Sequence, residues 1–249
     1  MMDWLDPLIE KNGLILAFLV VGLIMAAAYG VSRYVTRGRI PGAALAIIFG
    51  LALAFLGGEK GIADHPLFAG MAVLGGSMFR DFAVVATAMG ADLETIKKAG
   101  KAGVTALFAG VLVAFATGAL AAFAMGYTDP AAITTIGAGA CTYIVGPVTG
   151  SALGVSSEVI AISVAAGVVK TLLATVATPL IAKKIRLDNP HAAMVFGGLI
   201  GTTSGVVAGL AATDSRLVPY GALTATFYTG LGCLLCPSVL FILVRALMG

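Results

Sequence analysis

Five long stretches of the chain contain no Asp, Glu, Lys or Arg, and they limit most strongly what the chain can fold into. They are residues 12–32, 40–58, 102–128, 130–157 and 217–244. Each comes close to or exceeds the roughly 20 apolar residues that a helix needs to cross a bilayer. Only 11% of the residues are charged, against about 25% in soluble domains. The sequence therefore predicts an all-α integral membrane protein.

About eight hydrophobic segments take up nearly the whole chain. Their bounds are 13–31, 41–57, 66–90, 102–126, 131–154, 159–182, 192–213 and 218–248. No stretch is left for a separate soluble domain, so residues 1–249 are predicted to form a single transmembrane domain. The basic residues lie between segments instead of forming a patch, which is typical of topology signals and argues against a nucleic-acid partner. The acidic first twelve residues do not resemble a signal peptide, and no cleavage is expected.

The fifth segment, residues 131–154, is predicted to enter and leave the membrane on the same side. Basic residues favour the cytoplasmic side, and a full span here would place two basic groups on opposite sides. These groups are Lys97, Lys98 and Lys101, and Lys183, Lys184 and Arg186. A hairpin that turns at Gly146 and Pro147 keeps both groups inside, because Gly and Pro weaken a helix. The alternative is one full span that violates the charge rule.

A broken helix inside a membrane indicates a binding site. Backbone groups left unpaired there cost several kcal/mol each, so they persist only within protein or beside a polar cavity. The ends of half-helices offer free N–H groups to an anion and free carbonyls to a small cation. Glycine-interrupted segments of this kind recur at 67–90, 131–154 and 192–213.

Weak internal repetition connects these segments. A shift of 64 residues matches 84–96 to 148–160, and a looser copy at 201–217 aligns Gly205 with Gly146 and Gly209 with Gly150. The alternative is chance agreement, since the chain contains 33 glycines. If the repeat is real, the three segments have related structures.

Hydroxyl side chains concentrate at two of the breaks and form the candidate site. Gly and hydroxyl residues of the fifth segment are predicted to face those of the seventh near the middle of the membrane. The set comprises Gly146, Thr149, Gly150 and Ser151 with Thr202, Thr203, Ser204 and Gly205. The alternative is that these small residues only allow helices to pack closely.

A few charged residues fall within apolar segments. Arg80 and Asp81 stand together in "GGSMFRDF", and Lys170 lies in the middle of "AAGVVKTLLA". Charges at such depth are costly and normally pair, face a cavity or extend to the interface. Arg80 is therefore a candidate for binding an anion, and Asp81 with Thr142 and Ser156 for binding a cation. If the third segment ends near residue 79, Arg80 and Asp81 are merely interfacial.

Long phrases of the sequence resemble the malonate/sodium symporter M subunit, the MadM family. The likeness covers nearly the whole chain and includes "GPVTGSALG" and "FGGLIGTTSG", which lie at the two hydroxyl-rich breaks. The resemblance implies a transport domain in the bacterial cytoplasmic membrane that imports malonate with Na⁺. It also implies a smaller membrane partner of the MadL type, hence a hetero-oligomer, while a homo-oligomer stays open.

Two alternatives to sodium-coupled malonate transport remain at this point. A holin-like or pore-type export protein would conduct without coupling, and a carrier could prefer another small dicarboxylate. An intramembrane enzyme is disfavoured because no nucleophile and base form a recognisable motif within a span. No cofactor is expected apart from Na⁺ as the coupling ion, and the cysteines, including the CxxC at 233–236, are expected to pack in helices.

Overall fold

The computed structural model describes residues 6–37, 42–54, 68, 70–71 and 93–248. The chain divides into two compact units, Met1–Val85 and Ala86–Gly249. All regular secondary structure in the described residues is helical. Four helices are long and apolar enough to cross a membrane, namely Asn12–Tyr34, Gly100–Ala124, Ser157–Ile181 and Ser215–Met248. The protein is an all-α, multi-pass membrane protein, as the uncharged stretches predicted.

The first unit contains two described helices. Helix α1 spans Asp6–Tyr34 and deviates from helical geometry at Asn12, and helix α2 spans Gly42–Ala54. Gly42 lies against the ring of Tyr29, since a Cβ there would come within 2.7 Å of it. Much of α1 is exposed, including Phe18 and Leu19, as expected of a helix that faces lipid. Residues 80 and 81 lie outside the described residues.

The described residues of the second unit form eight further α-helices. They are α3 (Leu93–Ala124), α4 (Pro130–Cys141), α5 (Val145–Leu153), α6 (Ser157–Ile181), α7 (Pro190–Ile200), α8 (Thr203–Ala211), α9 (Val218–Leu235) and α10 (Phe241–Met248). A short 3₁₀ turn precedes α9, and a π-helical turn at Cys236–Leu240 joins α9 to α10. Helices α3, α6 and α9 are long, whereas α4, α5, α7 and α8 are about half as long. The short helices form two pairs.

Helices α4 and α5 form a hairpin, hereafter hairpin 1. A Cβ at Gly146 would lie 2.9 Å from the Cα of Gly139, and one at Gly150 would lie 2.9 Å from the Thr135 methyl group. In a continuous helix, residues seven apart are separated by about 10 Å. The fifth segment therefore returns to the side on which it entered, which confirms the hairpin.

The turn of hairpin 1 lies earlier than the sequence predicted. It occupies residues 142–144, where Thr142 is extended, and Gly146 and Pro147 belong to the first turn of α5. The reason is that the amides of a first helical turn have no partner within the helix, so a proline costs little there. The Thr142 hydroxyl replaces the missing helical bonds by accepting from the amides of Ile144 and Val145, at 3.1 and 3.3 Å.

Helices α7 and α8 form hairpin 2. Helix α7 runs parallel to α9, because Gly197 contacts Gly221 while Gly201 contacts Tyr228. Helix α8 runs antiparallel to α9, because it starts next to Gly201 and its Leu210 reaches Gly221. The two short helices thus run in opposite directions. Gly201, with φ of +77°, turns the chain between them.

The two hairpins enter from opposite faces of the unit. Helix α4 runs parallel to α6, since Gly139 contacts Ser163 and Gly167 contacts Tyr143. Helix α8 also runs parallel to α6, with Gly205 beside Thr171 and Gly209 beside Thr178. Because α8 is antiparallel to α9, the long helices α6 and α9 are antiparallel to each other. Each hairpin therefore starts at the face where its own long helix starts.

The hairpin and long helix occur twice in succession, as an inverted repeat. Each copy begins with a capped proline: the Asp129 carboxylate accepts from the Ala132 amide, and the Asn189 side chain accepts from the Ala192 amide, both at 2.9 Å. Gly146 and Gly150 lie on α5, and Gly205 and Gly209 lie on α8, the returning arms of the two hairpins. These glycines thus lie on corresponding arms of the two hairpins, as the loose alignment predicted, while the copy at 84–96 lies outside the described residues.

Lys101, from the first of the two basic groups that motivated the hairpin, lies on the same face as Lys183 and Lys184 from the second. Helix α3 is antiparallel to α4, because Gly137 contacts Phe115 while the Cys141 thiol reaches the carbonyl of Val111 at 3.6 Å. Helix α3 therefore runs opposite to α6. Its beginning, with Lys101, shares a face with the exposed Lys183 and Lys184 after the end of α6.

We predict that cysteines placed at Lys101 and Lys184 react with a membrane-impermeant thiol reagent from the same side. A cysteine at Ser156, the exposed residue before α6, should react only from the other side. The measurement is labelling of right-side-out and inverted vesicles. By the distribution of basic residues, positions 101 and 184 should face the cytoplasm. Labelling of 101 and 184 from opposite sides would contradict the re-entrant arrangement.

Candidate substrate and ion site

The tips of the two hairpins meet beside the middle of α6 and α9. Lys170 and Thr171 lie near the centre of α6, and Tyr228 lies near the centre of α9. The tip of hairpin 1 comprises Cys141, Thr142 and Tyr143, and the tip of hairpin 2 comprises Gly201, Thr202, Thr203 and Ser204. The tip cluster is defined here as these seven residues with Lys170, Thr171 and Tyr228.

Glycines in α4, α6 and at the turn of hairpin 2 allow the tips to come so close. A Cβ on Gly167 would collide with the backbone amide of Tyr143, and a Cβ on Gly139 would collide with the carbonyl of Ser163. A Cβ on Gly201 would collide with the ring of Tyr228. Backbone atoms cannot move aside as a flexible side chain can, so positions 139 and 167 require glycine, and position 201 requires it because its φ is +77°.

Hydroxyl groups connect hairpin 2 to α6 and to hairpin 1. The hydroxyls of Thr171 and Thr202 are 2.6 Å apart, and both side chains are buried. The phenol of Tyr143 lies 3.3 Å from the Ser204 hydroxyl. This second bond joins the two hairpin tips directly.

Lys170 supplies the positive charge of the tip cluster. Its ammonium donates to the Cys141 carbonyl at 2.8 Å and to the Tyr228 phenol at 3.2 Å. The ammonium lies 5.0 Å from the centre of the Tyr228 ring, and the phenol donates to the Gly110 carbonyl at 3.1 Å. All these acceptors are neutral. In the described part of the chain, Asp214 and Arg216 form an ion pair, and both are distant from Lys170 in the sequence.

The ends of the half-helices at the tips are suited to ions of both signs. Helix α8 begins at Thr203, and the Thr202 side chain does not cap it. The first amides of a helix have no partner within the helix and attract an anion. Helix α4 ends at Cys141, whose carbonyl lies at the partially negative end of the helix. No group of three or more His, Cys, Asp or Glu residues in the described ranges could hold a metal ion.

The predicted residues of hairpin 2 lie in the tip cluster or beside it. Thr202 is fully buried, Thr203 and Ser204 are half-buried, and Gly205 is packed against the Thr171 carbonyl. Because Gly205 must approach α6 closely, its small size is explained by packing. The hydroxyls of Thr202, Thr203 and Ser204 are the groups of this set that could contact a ligand.

The predicted residues of hairpin 1 are spread along α5, away from the tip. Gly146 packs against Ser163, Gly150 packs against Thr135 and Ile160, and Ser151 is exposed. Thr149 is fully buried, and its hydroxyl is the one buried side-chain polar atom of the described residues without a hydrogen-bond partner. An unpaired buried hydroxyl is costly, so Thr149 is the member of this group most in need of a further partner.

The predicted cation ligands do not come together in the described residues. The Thr142 hydroxyl lies at a tip but already accepts two amide bonds, which uses both of its lone pairs. Ser156 caps the first turn of α6, about 20 Å along the helix from Lys170. Arg80 and Asp81 lie outside the described residues.

Sequence reasoning missed five members of the tip cluster, one of them Gly201 at the turn of hairpin 2. Tyr143, Thr171, Tyr228 and the carbonyl of Cys141 were not proposed, and Lys170 was noted only as a charge at depth. The signal for Lys170 was the cost of a charge in the middle of an apolar span. Tyr228 gave no local signal, because its partners Lys170 and Gly110 are 58 and 118 residues away.

The architecture indicates the class of protein, because two opposed hairpins meet at their tips between long helices. Paired half-helices in inverted repeats, with their ends directed to a polar centre, are characteristic of secondary transporters. The family model described as the malonate/sodium symporter MadM subunit matches residues 5–248, so the chain belongs to this family. By its description, this family consists of membrane transporter subunits. Comparisons with curated proteins and with solved structures gave no match.

We predict that Thr171→Val lowers the stability of the folded protein more than Thr175→Val. Thr171→Val leaves the buried Thr202 hydroxyl without its partner at 2.6 Å, which costs about 1–3 kcal/mol. Thr175 is equally buried on the same helix, but its hydroxyl donates to the Thr171 carbonyl within α6. Thermal unfolding of the purified variants in one detergent measures the difference. Equal melting temperatures would mean that the bond between α6 and hairpin 2 is unimportant.

Proposed function

We propose that the chain imports malonate together with Na⁺ across the bacterial cytoplasmic membrane, acting with a smaller membrane subunit of the MadL type. Membership of the symporter family supports the substrate and the ion. The meeting of the two hairpin tips beside Lys170 is the structural observation that supports a transport site. The site would lie near the middle of the membrane, since Lys170 and Tyr228 are near the centres of their helices.

In this proposal the tip of hairpin 2 binds one carboxylate of malonate. The first amides of α8 point to the tip, and Thr202, Thr203 and Ser204 add hydroxyl donors. Gly146, Thr149, Gly150 and Ser151 of hairpin 1 were predicted for the second carboxylate. They lie along α5, so in this proposal they bind the anion on its path to or from the tip. Thr149 contributes the buried hydroxyl that has no partner. Arg80 would add a positive charge to the substrate pathway.

Sodium would be bound by oxygen atoms, as hard cations prefer. Asp81, Thr142 and Ser156 were predicted for this role. The arrangement in the second unit favours an additional ligand, the carbonyl at the end of α4, because it lies at the tip and at the negative end of a helix. A bound Na⁺ beside the substrate would offset the negative charge of malonate, which would couple the two fluxes.

Reconstitution into proteoliposomes tests this function. The purified chain, alone and with its small partner, is supplied with labelled malonate in the presence and absence of a sodium gradient. We expect saturable uptake that requires Na⁺ and is competed only weakly by longer dicarboxylates. Conductance without saturation or sodium dependence would instead indicate a pore. Sodium-dependent uptake of another dicarboxylate in preference to malonate would reassign the substrate.

We predict that Thr149→Val and Thr203→Val each weaken malonate binding about ten- to hundredfold, because a charge-assisted hydroxyl bond contributes about 1.5–3 kcal/mol. The substitution keeps the volume and removes the hydroxyl. Thr178→Val is the matched control, since the buried Thr178 hydroxyl donates to the Ala174 carbonyl of its own helix. The apparent affinity is measured from sodium-dependent uptake. If both variants keep normal affinity for malonate and Na⁺, these hydroxyls only pack helices.

A further inference from the structure

Lys170 is an ammonium in the middle of a membrane-spanning helix and hydrogen-bonded to neutral oxygens. Its partners are the Cys141 carbonyl at 2.8 Å and the Tyr228 phenol at 3.2 Å. A charge at this depth is costly and is normally compensated by an opposite charge. The two bonds use two of its three N–H groups. The third can be donated to an anion.

The Cys141 carbonyl, which accepts from Lys170, is also suited to coordinate a cation. It is the last carbonyl of α4, and in a continuing helix it would accept from the amide of residue 145. That amide instead bonds to Thr142, through its carbonyl at 3.1 Å and its hydroxyl at 3.3 Å. The turn at residues 142–144 thus frees the Cys141 carbonyl from backbone pairing, and Lys170 donates to it. Unwound carbonyls at half-helix ends are the groups that coordinate Na⁺ in transporters.

We propose that the ammonium of Lys170 and a sodium ion compete for the Cys141 carbonyl, and that a substrate carboxylate decides the competition by drawing the ammonium away. The inference rests on the proposed function, because it needs a substrate anion at the tip cluster. Both cations cannot occupy one carbonyl at short range, since like charges repel there strongly. The flexible four-carbon stem of lysine allows the ammonium to change partners without movement of α6.

This exchange makes the binding of malonate and Na⁺ mutually dependent. Malonate releases the carbonyl for Na⁺, and Na⁺ at the carbonyl drives the ammonium toward malonate. By thermodynamic linkage each ligand must raise the affinity of the other by the same factor. Malonate carries two negative charges, so Lys170 and one Na⁺ together would neutralise it. Transport with either ligand alone is disfavoured, as a symporter requires.

Equilibrium binding of radioactive Na⁺ to the purified full-length chain, with and without saturating malonate, tests the proposal. We expect malonate to raise sodium affinity about 5- to 150-fold in the unchanged protein, the usual range of coupling between sites. Lys170→Met should bind Na⁺ more tightly than the unchanged protein does without malonate, because no ammonium competes for the carbonyl. Malonate should then raise that affinity by a smaller factor than in the unchanged protein, because only the direct attraction between Na⁺ and malonate remains. Malonamide, which is neutral, should not promote sodium binding in either protein.

Three further variants keep the test decisive. Lys170→Gln is neutral but polar and nearly as long, so it should give the same result if the methionine variant does not fold. Lys170→Arg keeps the charge and should keep the coupling. Lys184→Met makes the same chemical change at an exposed position and should behave like the unchanged protein.

Two different failures can be distinguished. If malonate raises sodium affinity equally in the unchanged protein and in both neutral variants of Lys170, the competition is wrong although the symport proposal stands. If the unchanged protein binds Na⁺ and malonate independently, both proposals are wrong.

Discussion

The requirement that backbone N–H and C=O groups be paired in the absence of water governs this structure. In the second unit two helices are interrupted at membrane depth, and an unpaired group there costs several kcal/mol. The chain meets this cost with side chains at the breaks. The Thr142 hydroxyl accepts two amides of the first turn, Lys170 donates to the last carbonyl of α4, and Gly201 turns the second hairpin without a Cβ. The same groups that stabilise the breaks are those that can exchange partners with a ligand.

Close helix packing, more than hydrophobic burial, keeps the breaks in place. Membrane helices gain little from removing apolar surface from lipid, so they rely on small residues that bring backbones together. Gly139, Gly146 and Gly167 place α4, α5 and α6 in contact, and Gly197 and Gly221 do the same for α7 and α9. Large apolar side chains such as Leu173 and Leu180 are exposed on α6, which is where lipid is expected. The glycine-rich composition is therefore a consequence of the hairpin architecture.

The sequence allowed the class, four of the spans and the first hairpin to be predicted, because these follow from composition, uncharged length and the distribution of Lys and Arg. The position of the first turn was wrong, since Pro147 was interpreted as a breaker although a proline is tolerated in the first turn of a helix. The tip cluster was only partly foreseen. Thr202 and Ser204 stand in a recognisable hydroxyl cluster, but Tyr143, Thr171 and Tyr228 acquire their roles from contacts between distant segments. Such contacts depend on the crossing of helices, which local pattern does not specify.

Helix α6 holds both hairpins at two consecutive residues. Lys170 bonds to Cys141 of hairpin 1, and Thr171 bonds to Thr202 of hairpin 2. The hairpins enter from opposite faces, so in the proposed carrier each one closes the site from a different side of the membrane. A ligand that draws Lys170 away from the Cys141 carbonyl changes the bond between α6 and hairpin 1. The next residue of α6, Thr171, is the one that bonds to hairpin 2. The tips touch each other through the bond between Tyr143 and Ser204 at 3.3 Å, which is long for a hydroxyl pair. Separation of the tips would therefore cost less than separation of either tip from α6, and in the proposed carrier this difference favours movement of one hairpin at a time.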